Sequence, residues 1–302
     1  MTRNSKVRES GLGTERASPK LALIRGERRR VPSWRRLGAI AVALAACGAS
    51  TLAQSQIVNA KLETRQTTRN LDADIQSVAA AGAPAWVAYR VSTLRGPQHM
   101  CNSNSWTSNR VMLEPATELT ILVRIENGRM DRLQTVTPDC EVDAGGLPVV
   151  WLEGVTPAQS AAWLTTQIRS ADTSGQREPR VVRSALGALI WHPGNEPLET
   201  IVAAARDDPR PFVRSQALFW LSQRAGQQAV GTIRNAVDND PETEVKKKAV
   251  FALSQLPKND GVPLLIEIAQ SNRNREVRKQ AMFWLGQSKD PRAVSFFEQI
   301  LK

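Results

Sequence analysis

Two cysteines, Cys101 and Cys140, are the residues whose type and spacing point most directly to chemistry. The only other cysteine, Cys47, lies in an apolar leader segment that predicts export. Export would leave an even pair of cysteines in an oxidising compartment, where disulfides form and persist. The sequence therefore predicts a Cys101–Cys140 disulfide that closes a loop of about forty residues.

Soft metal binding is the alternative for the same region. His99, Met100 and Cys101 are three consecutive potential ligands, and Trp106 follows them. Adjacent residues rarely all face one ion, so we predict no metal and no cofactor, and a small-ligand or metal site here stays the alternative. The acidic run Asp139–Gly146 lacks the ligand spacing of an EF-hand and predicts a turn.

Catalytic motifs do not emerge from the sequence. It has no phosphate-binding glycine loop, no GxSxG nucleophile elbow, no HExxH and no CxxC. The two imidazoles are His99 and His192, and His192 precedes Pro193 in a segment that we interpret as a solvated turn. The sequence therefore predicts a protein that is not an enzyme.

The positive charge of the chain is concentrated at its start. The net charge is +11 over 302 residues, but residues 1–36 alone hold eleven Lys or Arg and three acids. Residues 37–60 carry no charge, and the remainder has a net charge of only +3. Because the basic excess lies mostly in this leader, we predict no nucleic-acid partner.

The leader has the pattern of a bacterial secretory signal. Two arginines precede the apolar run Leu37–Cys47, and small residues follow as far as Ala53. The run is about half of the roughly 20 apolar residues that a spanning helix needs. Cleavage before Gln54 and acylation of Cys47 in a lipobox-like context both fit. We expect an exported protein of the periplasm or cell envelope that meets the membrane only through its signal peptide or a lipid anchor.

A 32-residue repeat fills the C-terminal part of the chain. The apolar positions Val213, Ala217 and Leu221 recur twice at this shift, and once 32 residues earlier, where Gly187 replaces the Phe219 of the repeat. Their spacing follows one face of a helix, and a second helical pattern completes each unit. Single helix pairs have too little core to stand alone, so the sequence predicts four stacked units, an α-solenoid, with repeats starting near 181, 213, 245 and 277.

The middle of the chain has the sequence pattern of a small antiparallel β-module. Apolar and polar residues alternate over Glu118–Ile125 and again over Arg132–Thr137, and Asn127-Gly128 between them is a strong hairpin signal. The fold class is therefore mostly α, with a β-module before the solenoid. The predicted segments are a leader (1–53), a helical or linker segment (54–83), the β-module (84–155) and the solenoid (156–302).

The repeat resembles the short bacterial HEAT repeat, of the type also found in phycobilisome-lyase-like HEAT proteins. An acid six residues before a base belongs to that pattern, with an amide replacing the acid in the third pair: Asp208 and Arg214, Asp240 and Lys246, Asn272 and Arg278. The resemblance implies that these side chains form a ladder of hydrogen bonds between units. It also implies a surface for other macromolecules, with no shared catalytic residues.

Two features of the array are candidates for a binding surface. Lys246, Lys247 and Lys248 form a basic run, and Phe296 and Phe297 lie on the last predicted helix, which could support self-association through the C-terminal repeat. The other aromatic residues recur with the period of the repeat, and we predict that they have a packing role. We expect an exported, non-enzymatic scaffold or adaptor that binds another protein. The alternatives are an accessory of an enzyme, as the lyase-related resemblance implies, and a small-ligand or metal-binding envelope protein that uses the β-module.

Overall fold

The repeat and the β-module both fall within the part of the chain that the structure describes. This computed structural model describes residues 57–94, 101, 114, 116–171, 178–224 and 226–302. The leader with Cys47, as well as His99, Met100 and Trp106, lies outside the described residues. Residues 51–302 belong to one unit.

The β-region is a five-stranded sheet with the strand order β2-β7-β3-β4-β5. Its central strands are strongly apolar, as expected for strands covered on both faces. A separate two-stranded parallel pair joins β1 to β6. The strands are β1 (Ile57–Val58), β2 (Lys61–Gln66), β3 (Ala85–Ser92), β4 (Glu118–Glu126), β5 (Arg129–Val136), β6 (Val142–Asp143) and β7 (Pro148–Glu153).

The predicted hairpin is confirmed, but the sheet is mixed rather than antiparallel. Strands β4 and β5 pair antiparallel across Asn127 and Gly128, which have φ of 52° and 69°. Strand β7 instead pairs in parallel with both β2 and β3. A hairpin leaves a local signal in the sequence, whereas the insertion of β7 between two strands that precede it does not.

Residues before 84 also belong to the sheet layer, which corrects the predicted boundary of the β-module. Strand β2 is an edge strand with all six side chains exposed, so it shows no alternation of burial. Helix α1 (Leu71–Ala79) begins at the cap Asn70 and buries Leu71, Ile75 and Val78 against the sheet. Helix α2 (Pro157–Ser170) begins with a full capping box of Thr156 and Gln159, and proline is its first residue.

The C-terminal array consists of four helical hairpins, which confirms the α-solenoid. Its helices are α3 (Glu178–Leu189), α4 (Glu196–Asp207), α5 (Pro211–Gln223), α6 (Gln227–Asn239), α7 (Thr243–Ser254), α8 (Lys258–Ser271), α9 (Arg275–Ser288) and α10 (Pro291–Ile300). The first helices of successive units, α3, α5, α7 and α9, pack side by side. The connection between α7 and α8 is short, because α8 already begins at Lys258.

The apolar positions that recur every 32 residues in the sequence are the buried positions of the array. All twelve first-helix positions of the repeat are buried: Val181, Ala185, Leu189, Val213, Ala217, Leu221, Val245, Ala249, Leu253, Val277, Ala281 and Leu285. The N-terminal end of the array is covered by α2 and by strand β5, both of which contact α3. The sheet and the array therefore share one core, which runs from β3 through α2 into the first repeat.

Candidate interaction surface

Arg214 and Asp240 form a buried rung between the second and third units. Arg214 Nε lies 2.8 Å from Asp240 Oδ2 and Nη2 lies 3.0 Å from Oδ1, a bidentate pair in which both side chains are less than a tenth exposed. Arg214 Nη1 also donates to the carbonyl of Asp208 at 2.9 Å. The hydrogen bond to Asp240 raises the pKa of Arg214. Planar, charge-assisted pairing of this kind fixes one unit against the next.

The turn that precedes each new unit repeats with the same period. An oxygen of Asp208, Asp240 or Asn272 accepts the backbone N–H two residues further on, at 2.9 to 3.0 Å. Such side-chain turns are typical of Asp and Asn alike. Position 272 therefore keeps the turn without keeping the charge.

The equivalent rung between the third and fourth units lacks its ion pair. Lys246 Nζ donates to the carbonyl of Asp238, and no carboxylate within the described ranges pairs with it. Asn272 Nδ2 donates to Asp238 Oδ1 at 3.3 Å. In the fourth unit, Arg278 Nη1 donates to the carbonyl of Asn272 at 2.7 Å, as Arg214 does to Asp208. The inter-unit ion pair is thus present between Arg214 and Asp240 but not between Lys246 and position 272. It is also lacking at Asp208, because Val182 stands where the repeat would place the base.

A cleft of about 570 Å³ opens beside the interrupted rung. It lies between the second helices α6 and α8, which touch over little of their length, whereas α4 and α6 pack together. The ion pair of Arg234 and Glu267 bridges it, and both of these side chains are about half exposed. Other lining residues are Asp238, Asn239, Lys246, Leu264, Ile268, Ser271, Asn272, Arg273 and Asn274. Volumes of this size are typical of ligand sites.

The three lysines of the basic run have different surroundings. Lys246 is half-buried and lines the cleft, Lys247 forms an ion pair with Glu244 at 2.9 Å, and Lys248 is exposed. The run is therefore not a single patch. Sequence reasoning missed the other cleft residues, Arg234, Asp238 and Glu267, although the departure of Asn272 from the repeat was a usable signal.

The recurring aromatic residues form a continuous row along the first helices. Phe219 stacks on Phe251 with ring centroids 6.1 Å apart, and Phe251 contacts Trp284 at 4.9 Å. Trp220 and Phe283 flank the two ends of the row. Phe283 is 54% exposed, and the others are half-buried. The row packs the units together, as expected from its period.

The last helix exposes different residues from those that the sequence indicated. Phe296 is buried and Phe297 is half-buried, because α10 turns both toward the core formed with α8 and α9. The large exposed apolar side chains here are Val294 and Ile300 of the helix and Leu301 at its C-cap. Phe296 is therefore a core residue rather than part of a surface.

His192 is buried, which corrects its interpretation as a solvated turn residue. Its Nε2 lies 2.9 Å from Ser160 Oγ, and Ser160 Oγ lies 3.1 Å from Tyr89 Oη. Its Nδ1 lies 3.0 Å from the carbonyl of Ala188, which can only accept, so Nδ1 carries the proton and Nε2 accepts from Ser160. The serine and imidazole are spaced as in a nucleophile–base pair, but both are fully buried and no carboxylate orients the ring. The group joins the sheet to the array.

The cysteine pair lies at the opposite face of the sheet. The structure joins Cys101 and Cys140 in a disulfide with their Cα atoms 5.5 Å apart. The Asp139 carboxylate is close enough to form a three-residue group with them. Since each sulfur is bonded to the other, neither is a thiolate ligand in this state. Asp143, at the end of the acidic run, accepts from Gly145 N at 2.8 Å and so forms a turn.

Within the described ranges, no helix combines the length and the apolar character needed to cross a bilayer.

Comparison with known proteins finds a similarity within the array. The family model described as HEAT repeats matches residues 198–282 and 230–302. No curated protein matches the chain. One similar solved structure is the complex of CpcE and CpcF of phycocyanin lyase from Nostoc sp. PCC7120, with 16% identity, 46% of this chain and 89% of that chain covered, and a TM-score of 0.36. Residues 198–302, which run from α4 to the end of the array, are thus similar to HEAT repeats.

Proposed function

We propose that this protein is a non-enzymatic scaffold that binds another protein in the cleft between α6 and α8. The observation that carries the proposal is the missing ion pair between Lys246 and position 272, beside which a cleft with a charged lining opens. HEAT-repeat surfaces suit this role, since stacked helices are rigid and lose little entropy on binding.

Site-specific crosslinking tests the proposal. A photoreactive p-benzoylphenylalanine replaces Ser271, an exposed residue of the cleft, or Gln299, an exposed residue of α10, in the full chain expressed in its native host. We expect one defined protein adduct from position 271 and none of that mass from position 299. Equal adducts from both positions, or none from position 271, would contradict the assignment of the cleft.

We further propose that the mature protein works in the bacterial cell envelope. The proposal rests on the leader pattern around Leu37–Cys47 in the sequence. Intact mass of the protein from its native host tests it, because a chain that starts at Gln54 and one that starts at acylated Cys47 differ in mass. Recovery of the full-length chain from the cytosol would contradict it. Self-association through the C-terminal repeat stays a prediction, to be tested by light scattering on the mature protein.

A further inference from the structure

The interrupted rung leaves a specific chemical group missing. At the preceding rung, the Asp240 carboxylate receives two hydrogen bonds from Arg214. Thirty-two residues later the corresponding group is the amide of Asn272, which carries no charge and is held by Asn274 N and Asp238. The fold thus has an uncharged amide where the preceding rung has a carboxylate, and Lys246 has no counter-charge from this position.

Two cations line the cleft without a carboxylate partner in the part of the chain that the structure describes. Lys246 is half-buried, and one of its three N–H groups donates to the carbonyl of Asp238. Arg273 is exposed and lines the same cleft. The Lys246 ammonium keeps two further N–H donors that an incoming anion can accept from.

The other charges of the cleft select the kind of anion. Glu267 is neutralised by Arg234, so Asp238 is the acid that an incoming anion meets. A singly charged carboxylate tolerates that neighbour better than a doubly charged phosphate does. The volume of about 570 Å³ exceeds one side chain and admits a short extended segment.

We propose that the cleft binds an acidic segment of the partner protein, one of whose carboxylates pairs with Lys246, as Asp240 pairs with Arg214 at the preceding rung. The inference rests on the proposed function and names the chemistry of the partner.

A labelled peptide tests this inference on the purified mature protein. The probe is a fluorescein-labelled peptide that contains Glu-Glu-Asp-Glu between Gly-Ser flanks, and its control carries Gln-Gln-Asn-Gln instead. Lys246→Met removes the cation, Asn272→Asp supplies the missing carboxylate within the chain, and Lys248→Met removes an exposed charge from the same helix. Circular dichroism establishes that each variant is folded.

We expect the acidic peptide to bind the wild type and Lys248→Met equally and the amide peptide to bind neither. Lys246→Met and Asn272→Asp should each weaken the acidic peptide by about tenfold or more, the effect of one charge-assisted hydrogen bond. Equal binding by Lys246→Met and Lys248→Met, undiminished binding by Asn272→Asp, or no binding by the wild type would each overturn the inference. Tighter binding of a phosphoserine peptide than of the acidic one would overturn it in favour of phosphate recognition.

The crosslinking experiment separates this inference from the proposed function. A partner adduct at position 271 that is unaffected by Lys246→Met and Asn272→Asp would support the scaffold function. It would contradict the inference that the bound segment is acidic. Loss of that adduct in both variants, but not in Lys248→Met, would support both.

Discussion

Gly187 shows how one residue adapts a repeat to its neighbour. It occupies the position of Phe219 and Phe251 in the first unit, and the ring of Trp220 lies directly over it. A Cβ added at this glycine would be 2.5 Å from Trp220 Cζ2. The indole is also held by the bond from its Nε1 to the carbonyl of Arg183 at 3.1 Å. The tryptophan thus takes the space that an aromatic residue of the first unit would fill.

Gly187→Ala should therefore destabilise the protein although alanine favours a helix. The clash should cost about 1–3 kcal/mol of unfolding free energy. Gly231→Ala on α6 is the matched control, since no heavy atom lies within 4 Å of the added Cβ, and it should gain up to about 1 kcal/mol. Urea unfolding of both variants measures the difference. A stabilised Gly187→Ala variant would show that Trp220 does not hold this position.

His192 predicts a dependence of stability on pH. Burial lowers its pKa below the ordinary value, although the hydrogen bond to Ala188 opposes that shift. Below about pH 6.5 the unfolded chain binds a proton at this imidazole that the folded chain does not. The free energy of unfolding should therefore fall on acidification through this range, by up to about 1.4 kcal/mol per pH unit, and be unaffected by this group above about pH 7.5.

Urea unfolding at several pH values between 5.5 and 8 tests this. His192→Gln should abolish the pH dependence of the free energy of unfolding. It should also lower that free energy at pH 8, because either Ser160 or the carbonyl of Ala188 loses its hydrogen bond to the imidazole. His99→Gln, at the only other histidine of the sequence, should retain it. A pH dependence that disappears in His99→Gln and persists in His192→Gln would reject the assignment.

At the scale of elements, what the sequence predicts depends on whether the signal is local or repeated. The helical hairpins were predictable because each core position recurs every 32 residues and is buried each time. The edge strand β2 was not, since its six exposed residues have no apolar face to alternate. The cleft was only partly predictable: Lys246 and Asn272 could be named, but the gap that they leave between α6 and α8 depends on tertiary packing.

The intact rung predicts a large effect of a small substitution. Asp240→Asn keeps the turn, as Asn272 does at the next position, but leaves the buried Arg214 guanidinium without its counter-charge. The variant should lose about 3 kcal/mol of unfolding free energy. Glu298→Gln, an exposed acid of α10, should change it by less than about 0.5 kcal/mol. Equal urea midpoints for the two variants would mean that the rung does not contribute to stability.

At the scale of the whole molecule, the sheet and the array are joined through buried polar groups as well as apolar ones. Tyr89 belongs to β3, Ser160 to α2 and His192 to the turn after α3, so one hydrogen-bonded chain crosses three elements. Sequence patterns could not bring these residues together, because they are separated by 71 and 32 residues and belong to no common motif. Fully buried, they act as a joint rather than as a site.

This joint predicts that the sheet and the array unfold together. Ser160→Ala leaves both Tyr89 Oη and His192 Nε2 buried without their shared partner, at a cost of about 2 kcal/mol or more. Ser170→Ala on the same helix removes only an exposed bond to Thr166 and should change little. Hydrogen exchange followed by mass spectrometry should show faster exchange in Ser160→Ala for both the strands β3 and β4 and the helices α5 and α7, because one global opening exposes them all. Acceleration confined to the strands would mean that the array is stable without the sheet, and that the joint orients two independent units instead of uniting them.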